Sequence, residues 1–477
     1  MKRFHGSRLP SFLSHLSLLR LTSHLSLLTL FLLLCTPAVV FSQQRWERNY
    51  GGVGYDFGYS VQQTTDGGYI VAGYTQSFGN YYQVYLIRTN ASGDTLWTRT
   101  YGGTSIEWGY SVQQTSDGGY IVTGGTTSFG NDEQVYLIKT NASGDTLWTR
   151  NYGGAVRDRG NSVQQTFDGG YIVVGNTNSF GSGYQVYLIK TDTDGDTLWT
   201  QTYGGVGSFG YSVQQTSDSG YIVAGNDSSL DVYLIKTNAS GDTLWSKTYG
   251  GTSIEWGYSV QQTSDTGFIV AGGTTSFGNS DQVYLIKTNA SGDTLWTRNY
   301  GGTGRERGNA VQQTSDGGYI VAGYAESFGN DFQVYLIKTN ASGDTLWTGN
   351  YGGAGNDGGY SVQQTSDGGY IVAGRTESFG DSVQVYLIKT DANGSSGVEV
   401  SPSHESRVAS YGVFPNPFVS FAYVPGREQE RFALYDISGR KVGVYKGDRI
   451  GEGLSAGVYF LRPFGEYAKP IRIVKLR

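Results

Sequence analysis

Aromatic, arginine and carboxylate side chains recur at one place along this chain, a few residues after each copy of a Tyr-Gly-Gly triplet. Aromatic rings and arginine side chains are the groups that protein binding surfaces use most as anchors. Their repeated position predicts a binding surface. The candidate ligand-binding residues are Tyr55, Phe57, Trp108, Arg157, Arg159, Phe209, Trp256, Arg305 and Arg307.

Groups for covalent or metal chemistry are scarce. Cys35 is the only cysteine, and three of the four histidines also lie before residue 43, which leaves His404 alone in the rest of the chain. Cys/His zinc sites, disulfides and a Ser-His-Asp triad are therefore not expected there. Acid–base chemistry would need carboxylates such as Glu107 or Glu306, and no pair of them stands out. We expect no catalytic residue, no metal and no cofactor.

The elements that position these side chains belong to a repeat. Successive triplet tyrosines are 51 residues apart, except for one interval of 46 between Tyr203 and Tyr249. A period near 50 is typical of propeller blades and other repeat arrays. The seven tyrosines are Tyr50, Tyr101, Tyr152, Tyr203, Tyr249, Tyr300 and Tyr351.

Each repeat contains four strand patterns, here named A (GYSVQQT), B (YIVAG), C (VYLIKT) and D (TLWTRNY). Strands B and C are continuous apolar runs, as expected of strands covered on both faces. Turns such as DGG and SGD supply the positive φ angles of hairpins. The pattern predicts an all-β fold, a seven-bladed β-propeller of four-stranded antiparallel blades over residues 43–396.

The two ends of the array complete each other. It begins with a lone D strand at residues 46–50 and ends after a C strand that has no D strand behind it. We therefore expect the first strand to close the ring on the last blade. An open solenoid is the alternative, and it would leave sheet edges exposed.

One tryptophan recurs in every D strand. A series of sugar-stacking rings would explain the pattern, but a residue present in all blades is better explained by packing between them. The series is Trp46, Trp97, Trp148, Trp199, Trp245, Trp296 and Trp347.

Strand alternation places the near-constant A–B and C–D turns at one end of the ring and the variable D–A and B–C loops at the other. All nine candidate ligand residues fall at the variable end, although neutral drift of exposed loops would also produce variation there. A five-residue deletion near Asp227 predicts a notch in the rim, flanked by Arg157, Arg159 and Trp256.

The amino terminus resembles an export signal. Basic residues lead into an apolar run from Leu25 to Phe41, and a small-residue site precedes Gln43, so residues 1–42 are interpreted as a signal peptide. A transmembrane anchor is the alternative, but the run is short. The net charge of −6 argues against nucleic acid and anionic membranes as partners. We expect a mature chain that does not insert in membranes and that is secreted, or attached to the outer surface, via the periplasm.

A different module follows a polar linker at residues 397–410. Residues 411–477 contain a PNPF opening, a YDxxGRxV strand, a GxYF strand and a basic apolar end. Together these motifs resemble the carboxy-terminal sorting domain of type IX secretion cargo. The motif residues are Pro415, Asn416, Pro417, Tyr435, Gly439, Arg440, Gly457 and Tyr459.

The resemblance implies a small β-sandwich that the type IX secretion machinery recognises and usually removes. The repeats look like propeller arrays of secreted bacterial proteins. We therefore expect an exported, non-catalytic binding or scaffold propeller whose partner is a glycan or a surface protein. The alternatives are a carboxylate- or tyrosine-dependent glycan-cleaving enzyme and a purely structural surface component.

Overall fold

The computed structural model describes residues 45–130, 132–278, 280–327, 331–396, 419–424, 428–436, 440–463 and 471–476. The predicted signal peptide lies outside these ranges. The chain divides into two compact units between Val400 and Ser401.

The first unit contains 28 described strands in seven four-stranded antiparallel sheets. Strand A of each sheet lies innermost and lines the central channel. The A strands are β2 (Asp56–Gln63), β6 (Glu107–Gln114), β10 (Asp158–Gln165), β14 (Phe209–Gln215), β18 (Glu255–Gln262), β22 (Glu306–Gln313) and β26 (Asp357–Gln364). The B strands are β3 (Tyr69–Thr75), β7 (Tyr120–Thr126), β11 (Tyr171–Thr177), β15 (Tyr221–Asn226), β19 (Phe268–Thr274), β23 (Tyr319–Ala325) and β27 (Tyr370–Thr376).

The C strands and the outermost D strands complete the sheets. The C strands are β4 (Gln83–Thr89), β8 (Gln134–Thr140), β12 (Gln185–Thr191), β16 (Val232–Thr237), β20 (Gln282–Thr288), β24 (Gln333–Thr339) and β28 (Gln384–Thr390). The D strands are β1 (Trp46–Tyr50), β5 (Thr95–Tyr101), β9 (Thr146–Tyr152), β13 (Thr197–Tyr203), β17 (Thr243–Tyr249), β21 (Thr294–Tyr300) and β25 (Thr345–Tyr351).

The first strand closes the ring, as predicted. The seventh sheet has the order β1-β28-β27-β26, with Trp46 opposite Lys389 and Tyr50 opposite Val385. The seven-bladed propeller is therefore confirmed, and blade numbers below follow the A strands, so that blade one contains β2 and blade seven contains β26.

Strands B and C carry the core, because both of their faces lie between neighbouring blades. In β7 and β8 every residue is buried, whereas the D strand β5 is exposed except for a half-buried Trp97 and a buried Tyr101. Between blades one and two, for example, Ile70 and Leu86 pack against Val122 and Ile138. Burying one such side chain contributes roughly 1.5–3 kcal/mol.

The D-strand tryptophans pack between blades, which confirms the interpretation made from the sequence. Trp97 meets Tyr120 of the next blade edge to face, with ring centroids 5.9 Å apart, and six further blade junctions repeat this contact. The triplet tyrosines cross the same junctions. The Tyr101 hydroxyl donates to the Gly144 carbonyl at 2.6 Å, and its six equivalents do the same.

Hydrogen bonds along the channel join the inner strands. The Gln114 N–H donates to Gln62 Oε1 of the preceding blade, and all seven junctions have this bond at 2.5–2.6 Å. A second series runs from the valine N–H to a serine hydroxyl of the preceding blade, such as Val112 to Ser60 at 3.2 Å. It occurs at six junctions and is missing where Ala310 replaces the serine.

Buried cations stabilise the constant end. Lys139 in strand C is 4% exposed, and its ammonium lies 2.7 Å from Asp117 of the A–B turn. Burial acts to raise the pKa of Asp117, but the hydrogen bonds that Lys139 and Thr115 donate outweigh it and lower that pKa to about 2. Every blade has the equivalent pair, at 2.5–2.9 Å.

The second unit contains one described four-stranded antiparallel sheet. Its strands are β29 (Arg431–Asp436), β30 (Lys441–Lys446), β31 (Gly457–Pro463) and β32 (Ile471–Lys475), in the order β30-β29-β31-β32. An isolated bridge joins Ala422 to Ile450, and these two side chains share a core with Phe432, Leu434 and Leu461. The predicted sandwich is thus described as one sheet plus this bridged segment.

The proposed sorting motif is only partly described. Pro415, Asn416, Pro417 and Gly439 lie outside the described residues. Tyr435 lies in β29, and Gly457 and Tyr459 lie in β31, where the Tyr459 hydroxyl donates to the Ser455 carbonyl at 2.9 Å. Arg440 forms an exposed ion pair with Asp436 at 3.0 Å.

Candidate functional site

The D–A and B–C loops lie at one end of the ring, and this end is called the variable face. In blade one the two loops are in direct contact, because the N–H groups of Gly52 and Gly54 in the D–A loop both donate to Ser77 Oγ in the B–C loop, at 3.1 and 2.9 Å. The D–A loops are residues 51–55, 102–106, 153–157, 204–208, 250–254, 301–305 and 352–356. The B–C loops are residues 76–82, 127–133, 178–184, 227–231, 275–281, 326–332 and 377–383.

A buried carboxylate holds these loops together in six blades. Asp56 is fully buried and accepts from the Gly52 N–H at 2.8 Å and from Ser77 Oγ at 2.6 Å. Glu107 and Glu306 occupy the same position, are fully buried, and bind the same loop groups. These two glutamates therefore act as loop-holding groups in the fold, which accounts for their position without any acid–base role.

Arg159 joins blades two and three. Its guanidinium lies over the Trp108 ring at 5.4 Å and donates two hydrogen bonds to Glu133, at 2.6 and 3.1 Å. Glu133 is 2% exposed and also lies 3.4 Å from Arg157. One face of this indole is thus covered by an arginine of the next blade, and Glu133 compensates the arginine charge.

Arg307 repeats this arrangement between blades five and six. Its guanidinium lies 3.7 Å from the centre of the Trp256 ring and pairs with Asp281 at 2.8 Å. Arg305 lies 3.8 Å from Glu326 of its own blade. The six residues predicted in these blades therefore form two clusters, three blades apart, instead of one continuous surface.

The two phenylalanines belong to aromatic groups on the inner strands. Phe57 packs on Tyr74 at 4.8 Å between ring centroids, and the Arg375 guanidinium lies 5.6 Å from its ring. Phe209 packs between Tyr184 and Tyr211. Tyr55 stands apart from both groups and is half exposed.

Sequence reasoning missed several contributors to these groups. Glu133 and Asp281 lie in B–C loops, and their pairing with an arginine of the next blade depends on blade packing that no local pattern encodes. The inner-strand tyrosines were detectable as a periodic signal two residues after Phe57 and its equivalents. They are Tyr59, Tyr110, Tyr211, Tyr258 and Tyr360.

The inner-strand tyrosines contact one another across blades. Tyr59 stacks on Tyr360 at 4.9 Å and meets Tyr110 edge to face at 5.3 Å. Burial raises the pKa of Tyr110 and of Tyr211 above the ordinary value of a tyrosine.

Blade one offers the largest group of exposed rings on the variable face. Tyr55, Phe78 and Tyr81 are 49%, 52% and 52% exposed. Phe78 has equivalents in other B–C loops, including Phe129 and Phe180, each half exposed and tilted against a strand-C tyrosine. No other blade has an aromatic residue at the position of Tyr55 or of Tyr81, so these two rings distinguish blade one.

Blade four carries the deletion, but the prediction of five missing residues in its B–C loop was wrong. Four residues are missing between strands B and C, where β15 and β16 flank a short turn at residues 227–231, and one is missing from the D–A loop. Asp231 takes the place of a glutamine and comes close to Glu255. Burial first, and then the charges of Asp227 and Glu255, raise the pKa of Asp231. The B–C loop of blade four is thus the shortest of the seven, and the notch in the rim stays a prediction.

Within the described part of the chain, no three His, Cys, Asp or Glu side chains are grouped so that they could hold a metal ion. No helix of that part has the length and apolar character needed to cross a bilayer.

Several solved structures are similar to this chain at low sequence identity. No protein-family model matches the chain, and no curated protein matches it. Among solved structures, a Bacteroides caccae protein of unknown function is 12% identical with a TM-score of 0.38, covering 62% of this chain and 94% of that one. PorZ, a surface component of the type IX secretion system of Porphyromonas gingivalis, is 12% identical with a TM-score of 0.40, covering 87% and 58%. YCF48 bound to D1 peptide is 9% identical with a TM-score of 0.44, covering 75% and 99%.

Proposed function

We propose that this chain is an exported, non-catalytic propeller that binds a glycan or a surface protein on its variable face. The observation that carries the proposal is the asymmetry between the two ends of the ring. At the constant end, the same ion pair and the same turns recur in every blade. At the variable face, six blades share a buried carboxylate but most blades present different loop side chains, with blades two and five alike in their D–A loops. A constant framework with variable loops is the arrangement of a scaffold that carries a binding surface.

Blade one is the proposed anchor for this ligand. Tyr55, Phe78 and Tyr81 combine apolar ring faces with phenolic hydroxyls, and a sugar or a protein surface uses both kinds of group. Arg159 and Trp256 are less suitable anchors than the sequence indicated, because Arg159 is paired with Glu133 and Trp256 is covered by Arg307. Truncating Arg159 would also leave the carboxylate of Glu133 buried and less well compensated.

A glycan array with the full-length chain, followed by titration of the best hit, tests the proposal. The double change Tyr55→Ala and Tyr81→Ala should weaken binding at least tenfold, since two anchor rings are lost. Phe167→Ala is the matched control, because Phe167 is a 72% exposed ring in an A–B turn of the constant end. Equal losses of affinity from both variants would contradict the assignment of binding to the variable face. Turnover of the glycan would favour the alternative of a glycan-cleaving enzyme.

Asp117 and Asp316 are unsuitable as constant-face controls. Each pairs with a buried lysine, so their removal would disturb the fold as well as the surface.

We also propose that residues 411–477 direct export through the type IX secretion machinery. The four ordered sequence motifs support this proposal, together with the division of the chain into two compact units. In a bacterium that has this machinery, a chain ending at Gly397 should accumulate in the periplasm as a folded propeller. Its normal appearance at the cell surface would contradict the assignment. The point variants Tyr459→Ala and Leu476→Ala extend the test to a buried and an exposed position of the second unit.

A further inference from the structure

The central channel has a chemically uniform wall. It is lined by one valine and one glutamine from each of the seven A strands, such as Val61 and Gln62, and encloses about 260 Å³. None of these lining side chains carries a charge. The chemistry of the channel therefore depends on how the seven carboxamides are oriented.

The contacts of these carboxamides fix that orientation. A backbone N–H is only a donor, so the Gln62 atom that accepts from the Gln114 N–H must be the amide oxygen. The same bond occurs at all seven junctions, for instance from Gln215 to Gln164 and from Gln313 to Gln261. Each Oε1 is thus committed to the neighbouring blade, and each Nε2 is left as the free end of the amide.

The next residue of each strand provides an internal contrast. Gln165 also accepts from a neighbouring blade, through the Ser116 N–H at 2.8 Å, but its Nε2 donates to the Gly169 carbonyl at 3.1 Å. Gln262 likewise donates to the Thr266 carbonyl, at 3.4 Å. Among the described residues, Nε2 of Gln164 and Nε2 of Gln261 have no such acceptor.

We infer that the channel is an anion site, in which the Nε2 groups of Gln62 and its six equivalents donate to a small oxyanion such as phosphate. Seven amide N–H donor groups that have no acceptor among the described residues border one space, and the oxygens of an oxyanion accept such hydrogen bonds. The valine side chains are 6–8% exposed and pack between blades, so the carboxamides are the polar side chains that border this space. This site is independent of the ligand proposed for the variable face.

Titration of the full-length chain with inorganic phosphate tests the inference, with bromide located by anomalous diffraction as a second probe. The test variant is Q164E/Q261E, because a glutamate still accepts the backbone N–H of the next blade but offers no donor to the channel. The control is Q165E/Q262E, which adds the same two charges one residue away. Melting temperatures establish that both variants fold.

We expect Q164E/Q261E to weaken phosphate binding at least tenfold and Q165E/Q262E to change it less than threefold, with bromide on the channel axis in the parent chain. The inference would be overturned by no phosphate binding by the parent chain, by equal losses in both variants, or by a bromide peak outside the channel. Calcium binding that displaces phosphate from the same space would also overturn it.

Discussion

Blades seven and four depart from the repeat in opposite ways. Blade seven is assembled from both ends of the repeat array, yet β1 pairs with β28 in the register of the other D strands, and its tyrosine and tryptophan contacts are those of the repeat. Blade four is continuous, but its loops are shortened. It has Ser208 in place of the buried carboxylate, and the Ser208 hydroxyl has no partner among the described residues.

The difference teaches that chain continuity matters less to a blade than the length of its loops. A strand supplied from elsewhere brings its own backbone groups and side chains, so the strand pairing and the tyrosine and tryptophan contacts of the repeat are restored. A shortened loop removes the groups that satisfy its neighbours, and the cost falls on buried polar atoms. In blade four this leaves Asp231 close to Glu255. At the equivalent position of blade five, Gln282 instead donates a hydrogen bond to Glu306 at 3.1 Å.

The largest expected effect is the loss of the closing strand. Deleting residues 43–50 removes Trp46, which is 3% exposed, and leaves β28 as an open edge. Truncating one buried tryptophan to alanine already costs about 3–5 kcal/mol. We expect the melting temperature to fall by well over 10 °C, measured against a chain that starts at Gln43. A melting temperature equal to that of this control would refute closure.

A second prediction compares the ion pairs that both unusual blades retain. Asp367→Asn in blade seven should cost about 2 kcal/mol and Asp218→Asn in blade four about 1 kcal/mol. The reason is burial, because the Asp367 side chain is 23% exposed and that of Asp218 is 56% exposed. Denaturant unfolding of both variants measures the two costs. The reverse order would show that blade four relies more on its constant end.

The same ion pairs determine how the stability of the fold changes at acidic pH. Burial acts to raise the pKa of Asp367, but hydrogen bonds from Thr365 and Lys389 outweigh it and lower the pKa. A lowered carboxyl pKa stabilises the fold above the ordinary value near 3.9 and ceases to do so as the pH falls through the folded value. The stability of the parent chain should therefore decline below about pH 4, and Asp367→Asn should flatten this decline.

The third prediction concerns a substitution that restores a hydrogen bond which blade four lacks. Asp231→Gln should let the new amide donate to Glu255, as Gln282 does to Glu306, and add about 1 kcal/mol. The pKa of Asp231 is raised, so its penalty is absent below the ordinary carboxyl value and appears as the pH rises through the folded value. The gain in melting temperature should thus be larger at pH 7 than at pH 4. An equal gain in melting temperature at pH 4 and at pH 7 would mean that the charge of Asp231 does not cause the instability.

Much of the fold could be predicted from the sequence because it is local and repeated. The seven tyrosines predicted the number of blades, and the incomplete first and last repeats predicted that the first strand closes the ring. The tryptophan contacts followed from their presence in every blade. The five-residue deletion is divided between two loops, since the motif FGYSVQQ follows directly after both Asp56 and Ser208 and one of the five residues is missing before Ser208.

The site was less predictable because its contacts join different blades. Trp108 and Arg159 were recognised separately, but their stacking depends on the packing of blades two and three and on Glu133, which the sequence did not mark. The orientation of the channel amides depends on backbone groups 52 residues away, as in Gln114 and Gln62. No local pattern encodes such pairs.

The smallest expected effect concerns the junction between blades six and seven, which lacks the hydrogen bond from a valine N–H to a serine hydroxyl. At the other six junctions a serine hydroxyl accepts from a valine N–H, as Ser259 does from Val311 at 3.2 Å. Ala310 offers no hydroxyl to the N–H of Val362, which is 8% exposed. Ala310→Ser should therefore add about 0.5–1 kcal/mol, and Ser259→Ala should remove about the same. Denaturant unfolding with an unchanged m-value measures both. If Ser259→Ala costs nothing, the serine series contributes no net stability, and the ring is held by the glutamine bonds and the buried core.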